Sequence, residues 1–175
     1  MWGKDCKHQC NCAISTDECN RNNGTCDGHC DPRFRGAACQ IQNMALQKPT
    51  RQSSLFYHDE SQSLQYSFHA VDGNDDPSAG HCAVTQSLGE SWWEVDLLSH
   101  VFINRITIVG QKYSTFTKMS LHIEVDGEVC FKRENSVRPS IQEDIFCTHN
   151  VIGTDRALHG PQRDYTVRGQ NLGVH

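Results

Sequence analysis

The 175-residue chain contains no run of 18 or more apolar residues, so nothing in it reads as a membrane-spanning helix. It has no basic run, and its formal net charge is −5. A phosphate-backbone binder needs clustered Lys and Arg, so no nucleic-acid partner is expected. The opening Met1-Trp2-Gly3-Lys4-Asp5-Cys6 lacks a positive stretch followed by an apolar one, so no secretory signal is expected within this chain. No nucleophile-elbow, phosphate-loop, kinase or HExxH pattern occurs. Helical periodicity is scarce: no 11-residue window keeps a 3.6-residue repeat, and only Ser67–Val71 reads as a short turn of helix.

Cysteine is abundant and unevenly placed. Seven of the ten cysteines fall within the first 39 residues: Cys6, Cys10, Cys12, Cys19, Cys26, Cys30 and Cys39. Only Cys82, Cys130 and Cys147 follow. The first density is that of a disulfide scaffold, the second that of an ordinary domain. The chain therefore divides into a stapled head and a larger domain with its own core. Between Cys10 and Cys39 the apolar residues are few, so burial cannot offset chain entropy without covalent staples. Zinc is the competing account, with Cys6-x3-Cys10 and Cys26-x3-Cys30 as loose knuckles near His8 and His29. The disulfide reading places the chain in an oxidising compartment, extracellular or in the ectodomain of a receptor. Set beside the missing signal, it makes the chain read as a fragment of a longer protein.

The head resembles an epidermal-growth-factor-like (EGF-like) repeat of the laminin or multiple-EGF kind. The resemblance rests on Cys10-Asn-Cys12, on Cys19 with Gly24-Thr25-Cys26, and on Cys30-Asp-Pro-Arg-Phe34-Arg-Gly36-Ala-Ala-Cys39. It implies the pairs Cys10–Cys19, Cys12–Cys26 and Cys30–Cys39 over residues 10–39. Gly24 and Gly36 stand where tight turns need positive φ. Cys6 is left over and reads, with Gly3, as the close of a preceding repeat covering residues 1–9. Such repeats mostly serve as spacers. Lys7-His8-Gln9 does not match the acidic cluster of the calcium-binding subtype. Asn23-Gly24-Thr25 is a glycosylation acceptor triplet at Asn23.

From Gln40 onward the pattern is short alternating runs between Gly, Asn, Asp, Ser and Pro clusters. Trp93–Leu97 alternates with period two, as do Val101–Ile103, Ile106–Ile108 and Leu121–Val125. Asn104-Arg105 separates the second and third of these. Asp126-Gly127 stands at a hairpin position, with Glu128–Phe131 as the return strand and Asp144–Cys147 as a further one. The expected class is all-β, a sandwich or barrel of antiparallel strands.

Residues 43–153 resemble an F-type lectin (fucolectin) domain, a branch of the discoidin or coagulation-factor type C jelly rolls. The motifs are Asn43-Met-Ala-Leu-Gln-Lys-Pro-Thr50 with Gln52-Ser53-Ser54, Ala70-Val-Asp72-Gly73-Asn74, Cys82-x-x-Thr85, Trp92-Trp93-Glu-Val-Asp-Leu97 and Ile103-Asn-Arg-Ile106-x-Ile108. The resemblance implies an eight-stranded antiparallel sandwich with binding loops at one end and a Cys130–Cys147 bridge. It also implies a structural calcium on the Asp72 carboxylate and the Asn74 carbonyl, with the carbonyls of His69 and His81 as further candidates; hard oxygen ligands suit that ion, and the competing reading of Asp72-Gly73-Asn74 is a plain turn. The family binds fucose with one His and two Arg. Here Val84 stands at the His position, and Val109-Gly110-Gln111-Lys112 replaces the first Arg motif. Val84, Gln111, Lys112 and Tyr113 are then the loop residues expected to meet a ligand.

The family's last strands find no match in residues 154–175, which read as an unrelated or disordered tail. The sandwich is accordingly expected to lack its last strands, and Cys82 to lack its partner. Cys6 and Cys82 are the expected free thiols. His81 and Cys82 invite a Cys–His catalytic reading, but neighbours on a strand point to opposite faces. His58-Asp59-Glu60 reads as a solvated polar loop, and the Trp92-Trp93 pair as core rather than sugar platform. No enzyme is expected. The expected function is extracellular recognition or adhesion, with a cell-surface glycan or protein as partner. The alternatives are a spacer with no ligand, or a phospholipid binder using Phe116 near Lys112 and Lys118; direct membrane contact is not expected.

Overall fold

A computed structural model describes residues 1–14, 19–78, 80–86, 91–110, 118–137, 142–153, 165–169 and 173–174. The chain divides into two compact units, Met1–Leu46 and Gln47–His175. No helix among the described residues is long and apolar enough to cross a membrane.

The first unit is held by the bridges Cys10–Cys19, Cys12–Cys26 and Cys30–Cys39. Among its described residues the buried apolar ones are Cys12, Cys19 and Cys39, so the staples themselves make the core. A short antiparallel ladder in it pairs β1 (Phe34–Arg35) with β2 (Ile41–Gln42). Asn11 Nδ2 donates to the Cys39 carbonyl at 2.7 Å and ties the start of the module to its end. Residues 1–9 belong to this unit. Trp2 and His8 exchange backbone hydrogen bonds, and the Gly3 amide donates to the Arg21 carbonyl at 2.9 Å. Gly24 turns at φ +75° directly beneath Trp2, and a Cβ there would lie 2.2 Å from the indole. Asn23 is exposed, with its Oδ1 accepting from the Thr25 hydroxyl at 2.9 Å.

The second unit is an antiparallel β-sandwich. In chain order its strands are β3 (Thr50–Gln52), β4 (Phe56–His58), β5 (Ser63–Gln65), β6 (Ala83–Val84), β7 (Ser91–Val95), β8 (Val101–Val109), β9 (Lys118–Val125), β10 (Glu128–Val137), β11 (Gln142–Gly153), β12 (Tyr165–Gly169) and β13 (Gly173–Val174). The main sheet runs β10-β9-β12-β7-β3; β11 pairs with β8, β13 with β6, and β4 with β5. Alternation builds the core. Ser91, Trp93 and Val95 turn inward on β7, and Leu121, Ile123 and Val125 do so on β9. Each fully buried aliphatic there stabilises the fold by about 1.5–3 kcal/mol. The β9–β10 turn is Asp126-Gly127, both with positive φ (50° and 83°), the conformation a tight hairpin with right-handed strand twist requires. The Cys130–Cys147 bridge joins β10 to β11, and the Arg133–Glu143 ion pair joins the same two strands.

Two expectations are corrected here. Val101–Ile103 and Ile106–Ile108 are one strand, because Arg105 continues the ladder opposite Phe146. The reading of residues 154–175 as a tail outside the sandwich, leaving the fold without its last strands, fails at β12 and β13. Strand β12 lies inside the main sheet, with Val167 opposite Trp93 on β7 and opposite Ile123 on β9. A strand between two neighbours satisfies its backbone donors and acceptors on both edges, a stabilisation that does not need an apolar sequence.

Candidate functional site

The opening motif Gln52-Ser53-Ser54 ties the strands that carry the candidate residues. Gln52 Nε2 donates to the carbonyls of Ser54 (2.6 Å), Gln65 (2.9 Å) and Val84 (3.1 Å). Ser53 Oγ accepts from the Trp92 amide at 3.2 Å, and Ser54 Oγ from the Gln86 amide at 2.9 Å. Val84 is thus held from two directions, by Gln52 and by pairing with Gly173 of β13. Its side chain has no donor to offer a ligand. Gln111, Lys112, Tyr113 and Phe116 lie outside the described residues.

The 3₁₀ turn Ser67–Ala70 leads into Val71-Asp72-Gly73-Asn74. Gly73 adopts φ +89°, which a side chain would oppose. Three Asx-type turns then follow one another. The Asn74 amide donates to Asp72 Oδ1 at 2.8 Å, the Asp76 amide to Asn74 Oδ1 at 3.0 Å, and the Ser78 amide to Asp76 Oδ1 at 2.9 Å. Asn74 Nδ2 stands 3.2 Å from His81 Nδ1, and His69 Nδ1 stands 3.6 Å from Asp72 Oδ2. The structure therefore brings His69, Asp72, Asn74 and His81 together, two by two. As a calcium shell their side chains are incomplete, since Asp72 is the one carboxylate and its Oδ1 already serves the turn. No group of three or more His, Cys, Asp or Glu capable of holding a metal occurs among the described residues. An ion here would draw the rest of its six to eight oxygens from backbone carbonyls and water.

Cys82 is wholly buried, with Sγ 3.8 Å from the Ser78 carbonyl, whereas the His81 ring faces Asn74. The two side chains have different neighbours, Asn74 for His81 and the Ser78 carbonyl for Cys82. Cys6 is exposed, and both cysteines stand outside the four bridges. His58 Nδ1 lies 3.2 Å from both the amide and the hydroxyl of Ser61, so it caps the β4–β5 turn. Trp93 is buried, and its Nε1 donates to the Ser67 carbonyl at 2.9 Å; Trp92 is half-buried.

The aromatic residues around the 3₁₀ turn belong to none of the sequence motifs. Tyr66 and Phe68 stack with centroids 5.6 Å apart and 14° between planes, and the His69 ring lies 4.5 Å from Phe68. The available signal was the spacing Leu64-x-Tyr66-x-Phe68, which places three large apolar residues on one side of an extended chain.

No family model matches the chain, and no curated protein matches its sequence. Solved structures share its fold. A Streptococcus pneumoniae fucose binding module, SpX-3, superposes with a TM-score of 0.57 at 22% identity, over 77% of this chain and 93% of its own. The serum F-lectin (fucolectin) of Morone saxatilis, the striped bass, does so with 0.56 at 21%, over 75% of this chain and 46% of its own. Chitosan-binding module 1 from the chitosanase/glucanase of Paenibacillus sp. IK-5 gives 0.51 at 14%, over 76% and 92%. At these identities the likeness defines the architecture: the second unit has the β-sandwich fold of these lectin and carbohydrate-binding modules.

Proposed function

We propose that the Gln47–His175 unit is a non-enzymatic glycan-recognition module of a secreted or cell-surface protein, related to the F-type lectins. The observation that carries this reading is the shared sandwich. Two unrelated sugar specificities, fucose and chitosan, are named for proteins with this fold. The four disulfides support an oxidising, extracellular setting. The Met1–Leu46 unit is an EGF-like spacer in this reading. Its bridges hold it rigid without an apolar core, and Asn23 offers an exposed acceptor for a glycan. Fucose recognition of the usual kind is not proposed, because Val84 brings no hydrogen-bond donor to the position where that chemistry needs one.

Calcium enters the reading as a structural ion on the Asp72 carboxylate and the carbonyls of His69, Asn74 and His81. It would neutralise Asp72 and clamp the turn; it would do no chemistry.

The test is a glycan array probed with the oxidised, full chain, followed by calorimetry on any retained oligosaccharide. Saturable binding of at least one glycan is expected. Binding of none, by protein with all four bridges intact, overturns the proposal.

A further inference from the structure

We propose that Tyr66, Phe68 and His69, with Asp72 at their rim, form a platform for an uncharged pyranose. The inference rests on the glycan-recognition reading above and gives it a location, away from Val84.

The local fold makes the platform. On β4 and β5 Tyr57 stands opposite Leu64 and Phe56 opposite Gln65. Alternation sends Gln65 inward, where it is 1% exposed, and Leu64 and Tyr66 outward. The chain then enters the 3₁₀ turn, and Phe68 also faces solvent. Tyr66 is 41% and Phe68 52% exposed, although both are large enough to anchor a core. Leu55, Tyr57 and Leu64 are exposed as well, with Tyr57 opposite Leu64 across the β4–β5 ladder. Two large rings stacked on each other in solvent mark an interaction surface, whereas scattered apolar residues do not.

The platform is held before any ligand arrives. The Ser67 carbonyl accepts from Trp93 Nε1, and Ser67 Oγ bonds Thr50 Oγ1 at 2.9 Å. Residue 67 is thus fixed to β7 and β3 between the two exposed rings. Preorganised rings lose little freedom on binding.

Its chemistry is two-sided. The ring faces carry negative quadrupole density, which attracts the partly positive C–H face of a pyranose. The rim carries an imidazole and a carboxylate 3.6 Å apart, donors and acceptors for hydroxyls. A purely aliphatic partner would leave that rim unsatisfied. Charge selects further. From Arg51 to Arg105 there is no Lys or Arg between, while Asp59, Glu60, Asp72, Asp75, Asp76, Glu90, Glu94 and Asp96 all lie in that stretch. Asp72, the carboxylate at the rim, offers a sulfate or a sialic-acid carboxylate no hydrogen-bond donor, and an uncharged sugar is the occupant that fits.

The experiment uses the oxidised full chain and immobilised neutral oligosaccharides carrying fucose, galactose, glucose or N-acetylhexosamine, each beside a sulfated counterpart. Wild type is expected to retain at least one neutral probe and to bind its sulfated form more weakly. Phe68→Ala and Tyr66→Ala should each lower affinity about tenfold. Phe68→Tyr should keep it, and Phe68→Leu, apolar without a ring, should not. Unchanged melting temperatures would separate these effects from unfolding. If wild type binds a neutral probe and the Tyr66→Ala, Phe68→Ala double variant binds it equally well, the platform is wrong and the glycan reading stands. If Phe68→Leu binds like wild type, or the sulfated form binds tighter, the stacking or charge argument is wrong. If wild type binds no probe, the glycan reading falls and the platform with it.

Discussion

The indole Nε1 of Trp93 donates to the carbonyl of Ser67 at 2.9 Å, across 26 residues of sequence. One bond thereby connects the buried face of the central sheet to the 3₁₀ turn that displays Phe68 and His69. Trp93→Phe removes the donor and leaves the Ser67 carbonyl without it. A loss of about 2 kcal/mol in urea unfolding is expected. Affinity for any glycan bound at Tyr66 and Phe68 should fall with it, although Trp93 is buried beneath that surface.

Arg133 and Glu143 form an ion pair between β10 and β11, with side chains 15% and 16% exposed. Removing one partner strands the other charge in a poorly solvated place. Glu143→Leu and Arg133→Met should each destabilise the sandwich by about 2–3 kcal/mol, and the combination Arg133→Met with Glu143→Leu should recover most of the loss. Chemical denaturation of the four proteins in a double-mutant cycle measures the coupling directly.

Gly24 combines a positive φ with an indole packed against its α-carbon. Gly24→Ala meets both obstacles, the backbone strain and a Cβ 2.2 Å from Trp2 Cε2. A cost of at least about 1 kcal/mol is expected from the backbone alone. Trp2 should be expelled, which a red shift of tryptophan fluorescence would report. Unchanged emission would mean that the turn moved instead.

Asp31 accepts from the Arg33 amide and Nε at 2.9 Å and from Nη2 at 2.8 Å, a two-pronged grip by one guanidinium. The Arg33 hydrogen bonds lower the Asp31 carboxyl from 3.8 to about 2. A carboxyl depressed in the folded state contributes stability above its unfolded value and loses it as pH falls through the folded one. The contribution of this pair should therefore fade between about pH 4 and pH 2 and be constant above. A carboxyl ¹³C titration of Asp31 checks it, and Arg33→Gln should move the midpoint back toward 3.8.

The proposed calcium predicts a melting temperature that rises with millimolar calcium and falls with chelator, by mass action on the folded state. Asp72→Asn should abolish the dependence while leaving the Asx turns intact, because an amide oxygen still accepts from the Asn74 amide. Equal melting with calcium and with chelator in wild type would remove the ion from the reading.

Much of the β9–β10 hairpin was legible from local chemistry. Leu121-His-Ile123-Glu-Val125 alternates, and Asp126-Gly127 can take the two positive φ values that the turn uses. The uneven cysteines likewise mark a head that cannot fold on apolar burial alone. Long-range pairing was not legible. Tyr165–Gly169 carries little apolar pattern, yet it occupies the middle of a five-stranded sheet, because two flanking strands supply its hydrogen bonds. Asn104-Arg105 looked like a break for a related reason: polarity on one face says nothing about the ladder partner opposite.

At the candidate site, Asp72, Gly73 and Asn74 were visible as a turn with oxygen donors, since Asx turns are made by neighbouring residues. Tyr66 and Phe68 were not, because their spacing alone fits a buried strand as well as an exposed one. By itself, then, the sequence determined what short-range chemistry controls: the all-β class, the stapled head, the tight turns and the shortage of basic charge. Only the tertiary structure decided which edges pair, which aromatics lie open to solvent, and which carbonyl Trp93 holds. Those outcomes depend on groups tens of residues apart meeting in space, and no local periodicity encodes such a meeting.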